Sequence, residues 1–189
     1  MVAALDLQPH PEGGWYRELH RAAGSVQRRG DGAERAGVTL IAYLLQGGER
    51  SRWHRVRGSD EIWLHAAGAP LDLWSLPPQG GEPQRLGLGS LMLDTPVPWA
   101  DRQPSGTRSG ESEAGAIPDG QKSADCDSGA GADRPVRVIP ADWWQAARSR
   151  GAWTLVHCVV GPGFAYEDFE ILADRPAAQR PDGVLEDLL

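Results

Sequence analysis

Residues Gly48–Gly68 read GERSRWHRVRGSDEIWLHAAG. Two strand-like runs, Ser51–Val56 and Glu61–Ala67, flank the turn Arg57-Gly58-Ser59-Asp60 and form a hairpin-like pair. Side chains alternate faces along a strand, so His54 and Val56 share one face of the first run. Glu61, Trp63 and His65 share one face of the second. If the two faces meet, an imidazole and a carboxylate project into one interior.

The flanking sequence supplies strands for such an interior. Val38–Gln46 (VTLIAYLLQ) is a short apolar run closed by Gly47-Gly48, which predicts a buried strand. Leu71–Leu76 alternates Leu71, Leu73 and Ser75 against Asp72, Trp74 and Leu76. Gln84–Met92, Val136–Ile139, Trp153–Val160 and Glu167–Leu172 are further candidates. Near the start, Trp15–His20 places Trp15, Arg17 and Leu19 on one face and Tyr16, Glu18 and His20 on the other. Residues 1–9 predict a short helix, and the Gly- and Arg-rich Ala22–Gly37 a loop. Many short strands between Gly/Pro turns indicate an all-β sandwich or barrel with few short helices.

Asp101–Arg134 differs: it is rich in glycine and acids, and Ile117 is its one large aliphatic residue. Such a stretch buries too little surface to offset its ordering entropy and is expected to be a long disordered loop. The expected organisation is one domain over residues 1–175, interrupted at about 101–134, with a polar tail at 176–189.

Composition narrows the function classes. A net charge of −7 opposes nucleic acid or an anionic membrane surface as the main partner. No apolar run approaches the roughly eighteen residues of a membrane span, and the N-terminus lacks a signal-peptide pattern, so a cytoplasmic location is expected. Cys126 and Cys158 lie far apart without metal or redox spacing, which argues against a structural disulfide. Lys122, the single lysine, lies in the glycine-rich stretch and is a poor Schiff-base candidate.

The spacing of Gly48, His54, Glu61 and Gly68 resembles the first motif of the cupin superfamily, with Val56 where a second histidine usually stands. Pro140-Ala141-Asp142 followed by Gln145 resembles the second motif, with Asp142 in place of a glycine and Gln145 in place of a histidine. The chain is more closely similar to a small cupin group through five stretches. These are His10-Pro11-Glu12-Gly13-Gly14 with Arg17-Glu18, Ser51–Val56, Asp60–Trp63, Trp144–Ala147, and Pro162-Gly163-Phe164 with Asp168-Phe169-Glu170. The resemblance covers roughly residues 5–98 and 135–172. It implies a cupin double-stranded β-helix, a jelly-roll barrel that pairs as a homodimer, with Trp15–His20 as a candidate exchange element.

Metal-binding cupins hold their ion through the motif histidines and glutamate. Here a divalent metal would rest on His54, Glu61 and Gln145, with His65 or His157 as substitutes. Valine offers no donor and an amide is a weak neutral ligand, which disfavours a tight transition-metal site. Metal-free cupins of the sugar-nucleotide epimerase type use a histidine base, and His54 with Glu61 forms a candidate catalytic pair of that kind. Trp63, His65, Gln145, His157 and Tyr43 are candidate ligand-binding residues. The leading expectation is a small polar or carbohydrate-like ligand in the barrel with isomerase- or epimerase-type proton transfer. A metal-dependent oxygenase-like enzyme and a non-catalytic ligand sensor are the alternatives. Arg52 and Arg55 flank His54 and are expected on the outer face; Gly13-Gly14 is expected to serve a turn.

Overall fold

A computed structural model describes residues 1–90 and 132–189. The strands are β1 (Gln8–Pro9), β2 (Trp15–Arg21), β3 (Ser25–Gln27), β4 (Glu34–Ala36), β5 (Thr39–Gln46), β6 (Arg50–Val56) and β7 (Asp60–Gly68). They continue with β8 (Leu71–Leu76), β9 (Gln84–Leu88), β10 (Val136–Ile139), β11 (Trp144–Ser149), β12 (Trp153–Gly161) and β13 (Phe169–Ile171). Helical structure among the described residues is limited to short 3-10 turns, of which Ala3–Leu5 is the first. Most of the expected insertion, with Lys122 and Cys126, lies outside the described residues.

Two sheets face each other. The larger runs β1-β2-β5-β12-β7-β10 and the smaller β13-β6-β11-β8-β9, with antiparallel pairing throughout. The expected hairpin does not form: β6 belongs to the five-stranded sheet and β7 to the six-stranded one. Their turn crosses from one sheet to the other, so His54 and Glu61 approach the interior from opposite walls. This is the all-β jelly roll that the motif resemblance implies.

The apolar content of β5 follows from burial on both faces. Tyr43 and Leu45 point into the inter-sheet core with Trp63, Leu71, Leu73, Leu88, Ile139 and Val156. Ala42 and Leu44 point outward and are covered by Leu7, Val2 and Trp15. β8 keeps its expected alternation, with Leu71 and Leu73 inward and Trp74 and Leu76 in a second, outer cluster. That cluster also holds Trp53, Trp144 and Leu172, and the C-terminal residues Val184, Leu185, Leu188 and Leu189 pack onto it. Trp53 Nε1 donates to the carbonyl of Leu185 at 3.1 Å, which anchors the C-terminal segment to the sheet.

Ala22–Gly37, expected as a loop, contains the β3–β4 hairpin. The buried Arg28 follows β3 and donates to both oxygens of Asp168 at 2.9 and 3.0 Å. Arg35 Nε adds a third hydrogen bond to Asp168 at 2.7 Å. A charge-assisted network therefore ties the hairpin to the segment leading into β13.

Glycine positions in the motifs answer backbone demands. Gly68 has φ +89°, and a Cβ there would lie 2.6 Å from Trp153. Asp142, which stands where the superfamily motif has glycine, keeps the left-handed conformation at φ +70°. Asp tolerates that region better than most residues, and its Oδ1 accepts the Gly58 N–H at 3.1 Å.

Candidate functional site

A cavity of about 120 Å³ opens between the sheets, and its wall includes His10, Glu12, Tyr43, His54, Glu61 and Phe169. β5 contributes Tyr43, β6 His54, β7 Glu61 and β12 Cys158, each from its inward face. His10 and Glu12 come from the turn between β1 and β2.

Gly13 explains how that turn enters the barrel. It has φ +112°, and a Cβ there would collide with the carbonyl oxygen of Arg50. Only glycine allows this close approach, so the turn lies against the start of β6 with Glu12 directed inward. The Arg52 N–H donates to the Glu12 carbonyl at 2.9 Å, and Tyr43 Oη donates to the Gly13 carbonyl at 2.8 Å.

A β-bulge completes the wall. Along β11, Gln145 and Ala147 are two residues apart, whereas their partners on β6, His54 and Ser51, are three apart. The extra residue turns Ser51 onto the face that carries His54. Ser51 Oγ donates to Glu12 Oε1 at 2.9 Å. A second bulge between Glu18 and His20 has the same effect on β2. Arg21, rather than the expected His20, joins Glu18 at the mouth and bonds both of its oxygens at 3.1 and 2.7 Å.

The central polar contacts have a definite sense. His54 Nδ1 lies 2.8 Å from the Arg52 carbonyl, which accepts its proton and leaves the lone pair on Nε2 in the neutral ring. The tautomer is thus held by backbone rather than by Glu61. Nε2 lies 3.2 Å from Glu12 Oε2, and His10 Nδ1 approaches the same oxygen at 3.3 Å. Behind Glu61, Trp63 Nε1 donates to Gln145 Oε1 at 2.9 Å, and Gln145 Nε2 donates to Glu61 Oε2 at 2.6 Å. Because the indole can only donate, this chain fixes the orientation of the amide.

Burial governs protonation throughout. It pushes the carboxyls of Glu12 and Glu61 upward, against the opposing pull of His10 on Glu12 and of His54 on Glu61. It pushes both imidazoles downward, with the Glu12 charge opposing at His10 and the Glu61 charge at His54. Burial also holds the Tyr43 hydroxyl and the Cys158 thiol well above their ordinary ranges. The free Cys158 is therefore a neutral wall residue.

Of the residues expected to form a site, His54, Glu61 and Tyr43 line the cavity. Trp63 and Gln145 stand directly behind Glu61 and position it. His65 lies elsewhere, with Nε2 3.2 Å from the Ala69 carbonyl and Nδ1 3.4 Å from Ser90 Oγ. His157 alternates with Cys158 on the outer face of the larger sheet. Sequence reasoning placed His10 and Glu12 in a stretch that carries the family resemblance but gave them no role in the site.

The set His54, Glu61 and Gln145 does not fit a metal ion. The Gln145 oxygen is taken by Trp63, and its amide N–H groups face Glu61. Among the described residues, no three His, Cys, Asp or Glu side chains are grouped as a metal shell. Among the same residues, no helix is long and apolar enough to cross a membrane.

The model of the family described as Cupin superfamily (DUF985), Cupin_5, matches residues 1–100 and 111–172. No curated protein matches the chain. Protein SO0799 from Shewanella oneidensis is similar in structure, with TM-score 0.62 and 26% identity over 90% of this chain and 80% of its own. A hypothetical protein from Leishmania major is similar at TM-score 0.62 and 26% identity, over 90% of this chain and 84% of its own. Oxalate decarboxylase from Bacillus subtilis shares the fold at TM-score 0.50 and 12% identity, over 91% of this chain and 32% of its own. The chain belongs to the Cupin_5 (DUF985) family of the cupin superfamily.

Proposed function

We propose that the barrel binds a small polar ligand and moves a proton on it, in the manner of an isomerase or epimerase. The observation that carries this reading is the pair His54 Nε2 and Glu12 Oε2, 3.2 Å apart on the cavity wall. Glu61 belongs to the opposite sheet and lines the same cavity. The Glu12–His54 pair is the base: the Nδ1 proton of His54 is committed to the Arg52 carbonyl and its Nε2 faces Glu12 Oε2, so the pair takes up a ligand proton as a unit. Glu12 exchanges a proton with that nitrogen. Glu61 faces the ligand from the other wall and returns or removes a proton there, oriented by Gln145 and Trp63. A volume of about 120 Å³ favours a compact ligand over a sugar nucleotide inside the barrel.

The test is C–H to C–D exchange in three- and four-carbon hydroxy- and amino-carbonyl compounds, followed by NMR in D₂O. Exchange by the native protein that His54→Gln abolishes supports the reading. Binding without exchange in any compound would make the barrel a non-catalytic receptor.

The cytoplasmic expectation is kept as a proposal, as is the homodimer. Half-exposed Ile62, Leu64, Leu155 and Val159 and exposed Val136 and Val138 give the larger sheet an apolar outer face that suits a second copy. A solution mass of one chain would count against the dimer.

A further inference from the structure

The cavity holds acids and aromatic rings in an unusual balance. Glu12 and Glu61 are both buried, and each lines the cavity. Arg21 is the one cationic side chain among the described lining residues, and it is already held by both oxygens of Glu18. Arg52 carries its guanidinium outward to the Pro11 carbonyl. Glu12 has the His54 and His10 imidazoles at 3.2 and 3.3 Å, whereas Glu61 is met by the Gln145 amide at 2.6 Å; among the described lining residues neither carboxylate contacts an arginine or lysine.

The rest of the wall is largely aromatic: Tyr16, Tyr43, Phe164, Tyr166 and Phe169 all line it. The rings form a connected array with His10 at its centre. His10 meets Tyr16, Phe169 and Tyr43 edge-on at 4.6, 5.6 and 5.9 Å between centroids. Phe164 continues the array, 5.1 Å from Tyr166 and 5.7 Å from Phe169. In so small a space an occupant lies within cation–π reach, roughly 6 Å, of several rings.

We propose that this cavity is a cage for a small organic cation, a protonated or quaternary amine of a few non-hydrogen atoms. The inference rests on the proton-transfer reading for its location and specifies its ligand class. An anion would meet two carboxylates. A neutral molecule would leave the Glu61 charge without a cation in contact, or hold that carboxyl protonated. A metal ion would need a donor shell that these side chains do not form, whereas aromatic faces stabilise a weakly hydrated organic cation without direct ligation.

The probe is tetramethylammonium, titrated calorimetrically into the full chain after dialysis against a chelator. Its neutral isostere tert-butanol, acetate and a divalent metal chloride are the comparisons. Tetramethylammonium is expected to bind at least about tenfold more tightly than tert-butanol. Phe169→Leu should weaken it roughly fivefold, and Glu61→Gln should weaken it while leaving the thermal midpoint close to native. Binding should release protons, read from the dependence of the heat on the buffer, because a cation favours the ionised carboxylates; affinity should therefore rise with pH. Equal binding of tert-butanol, preference for acetate, a response to the metal alone or no binding of tetramethylammonium would each overturn the cage. If acetate or a neutral compound binds and is deuterated, the cage falls and proton transfer stands. If tetramethylammonium binds but no compound exchanges hydrogen, the reverse holds.

Discussion

Glu12 Oε2 lies 3.2 Å from His54 Nε2, while His54 Nδ1 gives its proton to the Arg52 carbonyl at 2.8 Å. A neutral ring of this tautomer presents a lone pair to Glu12. A carboxylate oxygen facing a lone pair at that distance is repulsive unless one proton sits between them. The pair therefore shares a proton, either as carboxylic acid with imidazole or as carboxylate with imidazolium.

Glu12→Gln tests that shared proton. The amide can donate to His54 Nε2 but carries no transferable proton, so exchange chemistry should disappear while unfolding stability moves by no more than about 1 kcal/mol. Glu12→Ala should cost about 2–3 kcal/mol, because Ser51 and both imidazoles lose their partner in a buried site. Urea unfolding followed by circular dichroism, beside the deuterium assay, separates the two effects. Equal stability losses in both variants would argue that Glu12 contributes packing rather than proton exchange.

The histidines give a pH signature of known sign. Burial lowers His54 below its ordinary 6.5, so the folded state binds fewer protons than the unfolded state in the window beneath that value. Its contribution is then present above 6.5 and is lost as pH falls through the folded value. The glutamates run the other way: raised above 4.5, they favour the fold at low pH and lose that contribution as pH rises. A single variant isolates one of these slopes. The midpoint of His54→Gln, measured against native protein, should recover relative to it as pH drops from 7 to 5. A constant difference across that range would mean that His54 keeps an ordinary titration in the barrel.

Alternation made half of this site legible. His54 and Glu61 lie on regular stretches of strand, so period-two reasoning placed their faces correctly. It could not see that β6 and β7 belong to opposite sheets, because a short turn serves a hairpin and a crossover alike. Ser51 reaches Glu12, and Arg21 the cavity, through bulges, which shift the phase of a strand without a residue signature in the sequence. β12 is apolar on both faces, so its pattern does not say whether His157 or Cys158 points inward. His10 and Glu12 escaped for another reason: they sit on a turn, where no periodicity applies, and enter the barrel only because Gly13 permits contact with Arg50.

The Trp63–Gln145–Glu61 chain predicts a positioning effect. Trp63→Phe keeps most of the ring but leaves Gln145 Oε1 buried without its donor, which costs about 1–3 kcal/mol. The amide is then free to flip, and Glu61 loses a fixed partner. Turnover should fall while ligand affinity changes little, and the acidic limb of the pH–rate profile should move as Glu61 titrates differently. An unchanged profile with lost stability alone would leave Trp63 a packing residue.

Asp168 links elements far apart in sequence, the β3–β4 hairpin and the segment leading into β13. Burial pushes its carboxyl up, but hydrogen bonds from Arg35 and Arg28 outweigh that and hold it below the usual range. Arg28 and Asp168 have side chains only 8% and 3% exposed; without Asp168, Arg28 keeps Asp31 as an acid partner, but Arg28 and Arg35 lose their charge-assisted hydrogen bonds to Asp168. Asp168→Ala should cost about 2–3 kcal/mol through the lost charge-assisted hydrogen bonds, above the roughly 0–1 kcal/mol of an exposed pair. The loss should also reach the cavity, because Phe169 follows directly in β13 and forms part of its wall. Ligand affinity should therefore fall in Asp168→Ala even under conditions where the protein remains folded. Denaturant melts and calorimetry on the same preparation read both quantities. A loss below about 1 kcal/mol would place the network with ordinary surface ion pairs, and unchanged affinity would uncouple it from the cavity.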